Sequence, residues 1–427
     1  MKIKNLYDKF LEYPEVSTDS RDIVSGAFFF ALKGNHFNGN EYASAALKNG
    51  ASFAVIDDDR FMTDSRCILV DDVLKTLQDL ANYHRNRFRI PIIAITGTNG
   101  KTTTKELVST VLSRKYRTLA TSGNLNNHIG VPLTLLRLRP DTDIAIVEMG
   151  ANHPGEIEFL SGIAEPTHGI ITNIGKAHLE GFGDLEGVIR TKTELYRYLK
   201  QRNGTVFVNT GDPLLDQHTR GMKVIPYGAG QPVEILELHA DPYVSLQIRL
   251  DKDTITIPTR LFGNYNAENI LAAACIGHFF GIDPSEIKAA IGTYEPDNNR
   301  SQLRQTESNI LILDMYNANP GSMEQALNHF STSSADNKVL ILGDMLELGN
   351  GSDHEHLQIL ELIGNLGFTN VYLIGPIFTR LNSKREWLCF QDSDLARMWL
   401  DHHPLRNSII LIKGSRGIKL EKVVDTL

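Results

Sequence analysis

Cysteine is scarce in this sequence, and its spacing excludes one kind of metal site. The chain of 427 residues has three cysteines, Cys67, Cys275 and Cys389, which are far apart and form no C-x-x-C pair. This pattern excludes a cysteine-based zinc site and fits a reducing compartment. We therefore expect the three side chains to be small apolar residues that fill space in the interior.

Long apolar runs and an excess of positive charge are also missing. No segment approaches the roughly 18 uninterrupted apolar residues of a membrane-spanning helix, and the N-terminal MKIKNLYDKFLEYPE lacks the apolar stretch of a signal peptide. The net charge of -8 gives no support for binding to a polyanion. We expect a cytoplasmic protein that neither inserts into membranes nor binds nucleic acid.

Strand-like and helical segments alternate along most of the chain, which predicts an α/β protein. The length of 427 residues is too great for one ordinary core and suits two or three domains. We expect a small N-terminal α/β domain over residues 1–88 and a central P-loop domain with a parallel sheet over 89–296. A C-terminal Rossmann-like domain with a second doubly wound sheet is expected over 297–427.

The segment PIIAITGTNGKTTTKEL, residues 91–107, predicts a phosphate-binding loop. A buried strand leads into a turn in which Gly97 and Gly100 let the backbone curl, and a helix follows. Lys101 is suited to the outer phosphates of a nucleotide, the helix start supplies positive dipole, and a Thr102 or Thr103 hydroxyl suits Mg²⁺.

The loop departs from the common G-x-x-x-x-G-K-[ST] pattern, because the first glycine of that pattern falls at Ile95. A shorter G-x-x-G-K-T-T loop stands in its place. The alternative is a glycine-rich turn with an incidental lysine, but strand, loop and the amphipathic helix carrying Leu107 and Val111 all favour nucleotide binding.

Three more residues are candidates because of where they stand along the chain. Glu148 closes an apolar run, at the strand end where open α/β sheets place ligands, so it is a candidate magnesium ligand or a simple turn cap. His178 follows the next strand and is either structural or part of the same crevice. Lys192 falls on a predicted helix, and from the residues alone a solvated surface lysine is the preferred interpretation.

Asparagine-rich segments mark the other two helix starts of interest. Asn266 and Asn269 stand one turn apart, where they suit a purine edge or a sugar hydroxyl, or act as helix caps. In LDMYNANPGSM, capping accounts for Asn319 but not for Asp314, Tyr316 and Asn317, which crowd a strand end. The turn IKGSRG at 412–417 carries two cations and suits a carboxylate or phosphate.

Together these segments resemble the Mur ligases, ATP-dependent enzymes that extend the UDP-linked muramoyl peptide of bacterial cell walls. The resemblance covers essentially the whole chain and is carried by TDSR, GTNGKTTTKEL, EMGANHPGEI, TNIGKAHLEGFG, YNANPGSM and GDMLELG. Within the family it favours the branch that joins D-alanyl-D-alanine to UDP-N-acetylmuramoyl-tripeptide. ATP and Mg²⁺ are the implied cofactors, and we expect a monomer.

The resemblance also implies roles for individual positions. Lys101, His178 and Lys192 match catalytic positions, and Thr102, Glu148, His178 and Lys192 match the metal site, with Lys192 carbamylated. The implied ATP-binding residues are Gly97, Thr98, Asn99, Gly100, Lys101, Thr102, Thr103, Asn266, Asn269, Arg300 and Asp314. The implied substrate-binding residues are Ser20, Arg21, Lys33, Gly34, Asn38, Tyr316 and Asn317.

The implied reaction has two steps: formation of an acyl phosphate from the peptide carboxylate and ATP, then attack by the amine of the dipeptide. Three alternatives remain open at this point. They are another amino-acid-adding Mur ligase, a ligase like folylpolyglutamate synthase, and a regulatory module in which nucleotide controls closure without forming a bond.

Overall fold

The computed structural model describes residues 2–297, 299–382 and 386–427, and their strands form three α/β units. The predicted α/β class is confirmed. The first unit has a parallel sheet of order β1-β2-β5-β6 and a small β3-β4 hairpin. Its elements are β1 (Val16–Ser17), β2 (Phe28–Phe30), β3 (Lys33–Gly34), β4 (Phe37–Asn38), β5 (Phe53–Ile56) and β6 (Cys67–Leu69), with α1 (Ile3–Glu12), α2 (Ala43–Lys48) and α3 (Val73–Arg85).

The middle unit is built on a parallel sheet of six strands, in the order β12-β11-β10-β7-β9-β8. Its strands are β7 (Ile92–Thr96), β8 (Thr118–Ala120), β9 (Ile144–Glu148), β10 (His168–Ile171), β11 (Thr205–Asn209) and β12 (Lys223–Tyr227). An antiparallel sheet follows, formed by β13 (Val233–Ala240), β14 (Tyr243–Leu250) and β15 (Asp253–Phe262). The sequence did not predict this antiparallel pairing.

Helices cover both faces of the middle sheet. Along β7, Ile92 and Ala94 belong to a core shared with the first unit, whereas Ile93 and Ile95 belong to a core shared with the antiparallel sheet. All four are fully buried, which explains why the strand is apolar without alternation. The helices are α4 (Lys101–Leu112), α5 (Gly130–Leu135), α6 (Glu156–Ala164), α7 (Leu179–Phe182), α8 (Leu185–Lys192), α9 (Glu194–Gln201), α10 (Pro213–Gln217), α11 (Asn266–Phe279) and α12 (Pro284–Thr293).

The third unit has six strands in the order β16-β17-β21-β18-β19-β20, all parallel except the edge strand β16. This is the second doubly wound sheet that the sequence predicts. Its strands are β16 (Gln302–Gln305), β17 (Asn309–Asp314), β18 (Lys338–Gly343), β19 (Asn370–Ile374), β20 (Leu388–Phe390) and β21 (Ser408–Lys413). Its helices are α13 (Pro320–Ser331), α14 (Ser352–Asn365), α15 (Pro376–Leu381), α16 (Ser393–His402) and α17 (Glu421–Val424).

Two observations bear on the expectations from composition. Cys67 and Cys275 are buried as expected, Cys389 is partly exposed, and all three thiols are free. Among the described residues no helix is long and apolar enough to cross a membrane. The exact domain boundaries remain predictions.

Candidate active site

The phosphate loop opens onto a cleft of about 1010 Å³ between the middle and third units. The carboxyl ends of β7, β9 and β10 lead into one wall, and the ends of β17 and β21 form part of the other, as expected for open parallel sheets. The predicted residues that line the cleft are Thr98, Asn99, Gly100, Lys101, Thr102, Thr103, Glu148, His178, Asn266, Asn269, Arg300, Asp314, Tyr316 and Asn317.

Two glycines fix the shape of the phosphate loop. Gly97 has φ +143, and a Cβ there would lie 2.0 Å from the Thr172 hydroxyl. Gly100 has φ +78, and a Cβ there would lie 2.3 Å from the side-chain oxygen of Asn269. Both positions therefore require glycine for space as well as for backbone conformation.

Helix α4 begins at Lys101 without a side-chain cap, because its N-cap is Gly100. The amide groups of its first turn therefore face the cleft unsatisfied by the chain, next to the positive end of the helix dipole. The segment that follows β10 holds the loop in place. Thr98 donates its backbone N–H to the Asn173 carbonyl at 2.9 Å. Asn99 donates its backbone N–H to the Asn173 side chain, also at 2.9 Å. The result is a preformed anion site.

Lys101 lies over this loop. Its Nζ donates to the carbonyl oxygens of Gly97 at 2.8 Å and Thr98 at 2.9 Å. Burial lowers the pKa of the ammonium to about 8, although Glu148 acts in the opposite direction. The loop carbonyls therefore hold the cation in place at the mouth of the anion site.

Thr102 and Glu148 form the centre of the candidate metal site. The Thr102 hydroxyl donates to Glu148 Oε2 at 2.9 Å, and Asn126 donates to Oε1 at 2.7 Å. Glu148 is 1% exposed and its contacts are neutral donors, so a hard cation would supply the missing positive charge. The hydroxyl and carboxylate oxygens fit Mg²⁺.

No group of three or more His, Cys, Asp and Glu side chains suited to a metal occurs in the described ranges. A cation at Thr102 and Glu148 would therefore complete its shell with phosphate oxygens and water, as Mg²⁺ does at nucleotide sites. Asn126 was not predicted, although the run SGNLNNH that follows β8 was a usable signal.

His178 lies in the cleft at the start of α7, in the left-handed region with φ 49. Its Nδ1 is 2.5 Å from Oε2 of Glu347, which belongs to the third unit. Hydrogen bonding to His178 lowers the pKa of the Glu347 carboxyl. The sequence placed His178 near the crevice, but Glu347 was not predicted as its partner.

The interpretation of Lys192 from the residues alone was wrong. It is the last residue of α8, it is 2% exposed, and its Nζ contacts the Ala151 carbonyl at a long 3.4 Å. The ammonium also lies 5.5 Å from the centre of the Phe182 ring. Burial, and then the charge of Lys101, lower its pKa well below the ordinary value, so the amine is not a solvated surface cation.

Asn266 and Asn269 belong to a buried network rather than to a helix cap. Asn266 donates to the Phe262 carbonyl at 2.7 Å, and Asn269 donates to the Asn266 side chain at 2.9 Å. The Thr104 hydroxyl donates to Asn269 at 3.0 Å, which ties α11 to the phosphate-loop helix. The capping interpretation of these two amides is therefore wrong, since Tyr265 stands at the N-cap.

The third unit presents an ion pair and cation–π contacts near the cleft. Asp314 pairs with Lys413, Nζ to Oδ2 at 2.5 Å, and Lys413 is only 2% exposed. The Arg300 guanidinium lies 3.7 Å from the centre of the Tyr316 ring, and the Arg416 guanidinium lies 5.6 Å from it. Two cations thus flank one ring. Of the two cations in IKGSRG, Arg416 lies near this ring and Lys413 pairs with Asp314.

Asn319 joins the third unit to the phosphate loop. Its Oδ1 accepts from the Ser322 backbone N–H at 2.9 Å in a capping box of α13, as the sequence predicts. Its Nδ2 donates to the Asn99 side chain at 2.7 Å, which the sequence did not predict. Neighbouring Asn317 accepts from the Ala318 backbone N–H at 2.9 Å.

The predicted substrate residues of the first unit, together with Gly97 and Lys192, are not among the residues that line the cleft. Arg21 pairs with Asp19 at 2.6 Å, and Lys33 pairs with Asp57 at 2.8 Å. Asn38 accepts from the Asn40 backbone N–H at 3.1 Å. The remaining two are Ser20, whose carbonyl accepts from Asn49, and exposed Gly34 in β3. Their role stays a prediction.

Comparison with known proteins finds relatives along the whole length. Residues 12–95 match the family model described as Mur ligase family, catalytic domain; 95–277 match the Mur ligase middle domain; and 299–416 match the Mur ligase, glutamate ligase domain. The UDP-N-acetylmuramoyl-tripeptide–D-alanyl-D-alanine ligase of Bacillus subtilis is 33% identical over 428 residues, covering 96% of this chain and 92% of its own.

Solved structures show the same likeness. A crystal structure of MurF from Acinetobacter baumannii has a TM-score of 0.87 at 30% identity and covers 96% of this chain and 92% of its own. MurF ligase from Thermotoga maritima, solved in complex with ADP, has a TM-score of 0.85 at 26% identity, with 97% of both chains covered.

Proposed function

Because the chain belongs to the Mur ligase family, we propose that it joins D-alanyl-D-alanine to UDP-N-acetylmuramoyl-tripeptide, with conversion of ATP to ADP and phosphate. One observation carries this proposal. The uncapped start of α4, Lys101 and the Thr102–Glu148 pair face Asp314, Arg300 and Tyr316 of the third unit across one cleft. A phosphoryl donor and an acceptor can therefore meet there.

ATP places its phosphates against the amides that begin α4, with Lys101 beside them. The chain holds this loop rigidly through Asn173, so little reorganisation accompanies binding. Asn266 and Asn269 stand behind the loop, within reach of the sugar and base, and Arg300 stands opposite. These residue assignments are part of the proposal.

Thr102 and Glu148 would hold Mg²⁺, which when bound offsets negative charge on the transferring phosphoryl group. The chain contributes the orientation of that site. Asn126 fixes one carboxylate oxygen of Glu148 and Thr102 fixes the other, so the carboxylate is oriented before the reaction begins.

In the first step, a carboxylate oxygen of the tripeptide attacks the γ-phosphorus of ATP, the bond to the β,γ-bridging oxygen breaks, and ADP leaves. Lys101 and the α4 amides stabilise charge on the equatorial oxygens. In the second step the dipeptide amine attacks the acyl carbon, phosphate leaves with the C–O bond electrons, and the amine loses a proton. Because water would destroy the acyl phosphate, contacts such as Asn99–Asn319 that close the cleft protect it.

Lys192 is proposed to act as a carbamate. Burial lowers the pKa of Lys192, which favours the neutral amine that is nucleophilic toward CO₂, and addition with loss of a proton gives a carboxylate-like group. Ser20, Arg21, Lys33, Gly34 and Asn38 are proposed to hold the uridine nucleotide, with Tyr316 and Asn317 contacting the acceptor end. A cytoplasmic location and a monomeric state also belong to this proposal, and free thiols are consistent with the former.

The test is phosphate release by the purified protein with ATP, Mg²⁺ and UDP-N-acetylmuramoyl-tripeptide. We expect release that depends on both the tripeptide and D-alanyl-D-alanine, and its loss in Lys101→Ala. Lys75→Ala, which removes an exposed lysine paired with Asp79, is the matched control.

Three other results would contradict the proposal in distinguishable ways. Release with a single amino acid would place the chain in another branch of the family. Release with folate and glutamate would favour a synthase of that class, and ATP binding without acceptor-dependent release would favour a regulatory module.

A further inference from the structure

The loop that carries His178 is docked onto the third unit at three points. Lys176 Nζ lies 2.9 Å from Glu355 Oε1 of α14, and His178 Nδ1 lies 2.5 Å from Glu347 Oε2. In the third contact, the Glu180 backbone N–H points at the Glu347 carbonyl oxygen at 3.5 Å. All three contacts join residues of the middle unit to residues of the third unit, so they exist only when the two units meet.

His178 and Glu347, which contact each other, are both held in the left-handed backbone region. His178 has φ 49 and Glu347 has φ 64, conformations that residues with a side chain adopt at a cost. Both therefore depend on their surroundings to stay in place. Across the boundary between the two units, the His178 side chain supports that of Glu347, and the Glu347 side chain supports that of His178.

The outer contact is asymmetric in burial. The Glu355 side chain is 6% exposed, whereas that of Lys176 is 50% exposed. A carboxylate that is buried to this extent requires a cationic partner, and here the partner comes from the other unit. The third unit is thus incomplete at Glu355 until the loop arrives.

The far end of the same loop reaches Lys192. Phe182 ends α7 and places its ring 5.5 Å from Lys192 Nζ. At Gly181, a Cβ would lie 2.0 Å from the Asn152 carbonyl oxygen, so the loop is pressed against the segment that follows Glu148. A displacement of the loop would therefore be felt at both His178 and Lys192.

We propose that Glu347 and Glu355 form a docking site for residues 176–182, and that Glu347 is a positioning residue that sets the His178 side chain in the cleft only when the third unit is docked. The inference rests on the proposed function for its catalytic meaning. Its structural content, that these two carboxylates hold the loop, stands apart from the reaction.

The loop is tested in the full-length protein with Lys176→Met, Glu355→Gln and Glu347→Ala. Asp353→Asn is the matched control, because Asp353 also lies on α14 but pairs with Arg380 inside the third unit. Lys176→Arg keeps the cation and is the conservative variant. Hydrogen exchange over 176–182 reports docking, and steady-state kinetics report its consequence.

We expect faster hydrogen exchange over 176–182 in Lys176→Met, Glu355→Gln and Glu347→Ala, with wild-type exchange in Lys176→Arg and Asp353→Asn. We expect Glu347→Ala to lower kcat by about 10- to 100-fold with little change in KM for ATP, because misplacement of the reacting groups slows the chemical step. The effects of Lys176→Met and Glu355→Gln should be non-additive in the double variant.

Unchanged exchange in Glu347→Ala and Glu355→Gln would overturn the docking site. Faster exchange together with an unchanged kcat would overturn the positioning role of Glu347. If the wild-type protein released no phosphate with the tripeptide and dipeptide, the proposed function would fail, whereas the exchange measurements would still decide the docking site.

Discussion

Asn319 Nδ2 donates a hydrogen bond of 2.7 Å to Asn99 Oδ1, across 220 positions of sequence and between two units of the molecule. The same side chain caps α13 through its oxygen. One residue thus ends a strand-to-helix loop in the third unit and contacts the phosphate loop in the middle unit. Helix stability and nucleotide binding are therefore linked at this position.

The two roles of Asn319 can be separated by substitution. Asn319→Asp keeps an N-cap oxygen but places a negative charge beside the phosphate loop, so we expect unchanged stability and a higher KM for ATP. Asn319→Ala removes the cap and should lower the free energy of unfolding by about 1 kcal/mol. Urea unfolding and ATP titration of the initial rate check both, and a stability loss in Asn319→Asp would contradict the cap assignment.

The lowered pKa of Lys101 predicts that ATP binding depends on pH. Its pKa in the free protein is lowered to about 8, so below that pH the charged ammonium meets the phosphates directly. Above it, binding must also take up a proton, and the Kd of a non-hydrolysable ATP analogue should rise by up to about tenfold per pH unit. Lys101→Arg stays charged and should show a flat profile. Equal slopes for both proteins would contradict the assignment.

Glu148 predicts how the reaction depends on magnesium. Glu148→Gln keeps the size of the side chain and one acceptor oxygen but removes its charge, so we expect a fold close to wild type and a higher half-maximal Mg²⁺ concentration. Initial rates over a Mg²⁺ series at saturating ATP measure this. Glu158→Gln, an exposed position on α6, is the control, and an identical Mg²⁺ response in Glu148→Gln would exclude the metal role.

Lys192 predicts a requirement for CO₂. Protein equilibrated in CO₂-free buffer should lose activity, and bicarbonate should restore it, because the lowered pKa of Lys192 favours the neutral amine that reacts with CO₂. With ¹³C-bicarbonate, a carbamate carbonyl signal should appear in wild type and be absent in Lys192→Arg. Activity that is insensitive to CO₂, with no carbamate signal, would leave Lys192 as a buried structural lysine.

The sequence predicted the parts of the site that follow from local chemistry. Gly97 and Gly100 indicate the loop because other residues do not fit at these positions. The placement of Glu148 and Asp314 follows from the rule that parallel strands have their carboxyl ends at the same edge of a sheet. The usual exposure of lysines on helices misled the interpretation of Lys192, because burial at the end of α8 depends on Phe182 and on the segment after β9 rather than on the helix itself.

Contacts between units were the part that no local pattern contained. Asn99 with Asn319 and His178 with Glu347 depend on how two separately wound sheets lie against each other. Each motif was visible, but the pairing was not. The substrate residues of the first unit also stay predictions, since Arg21 and Lys33 are engaged by neighbours within their own unit.

The strand order of the third sheet has a consequence for synthesis on the ribosome. Strand β21 lies between β17 and β18, and it carries Lys413, which neutralises Asp314 at the cleft. A nascent chain that ends before residue 408 therefore has a gap in the middle of this sheet and an unpaired carboxylate at its edge. The phosphate loop can be complete long before its opposing wall exists. Unfinished chains are thus unable to complete the cleft.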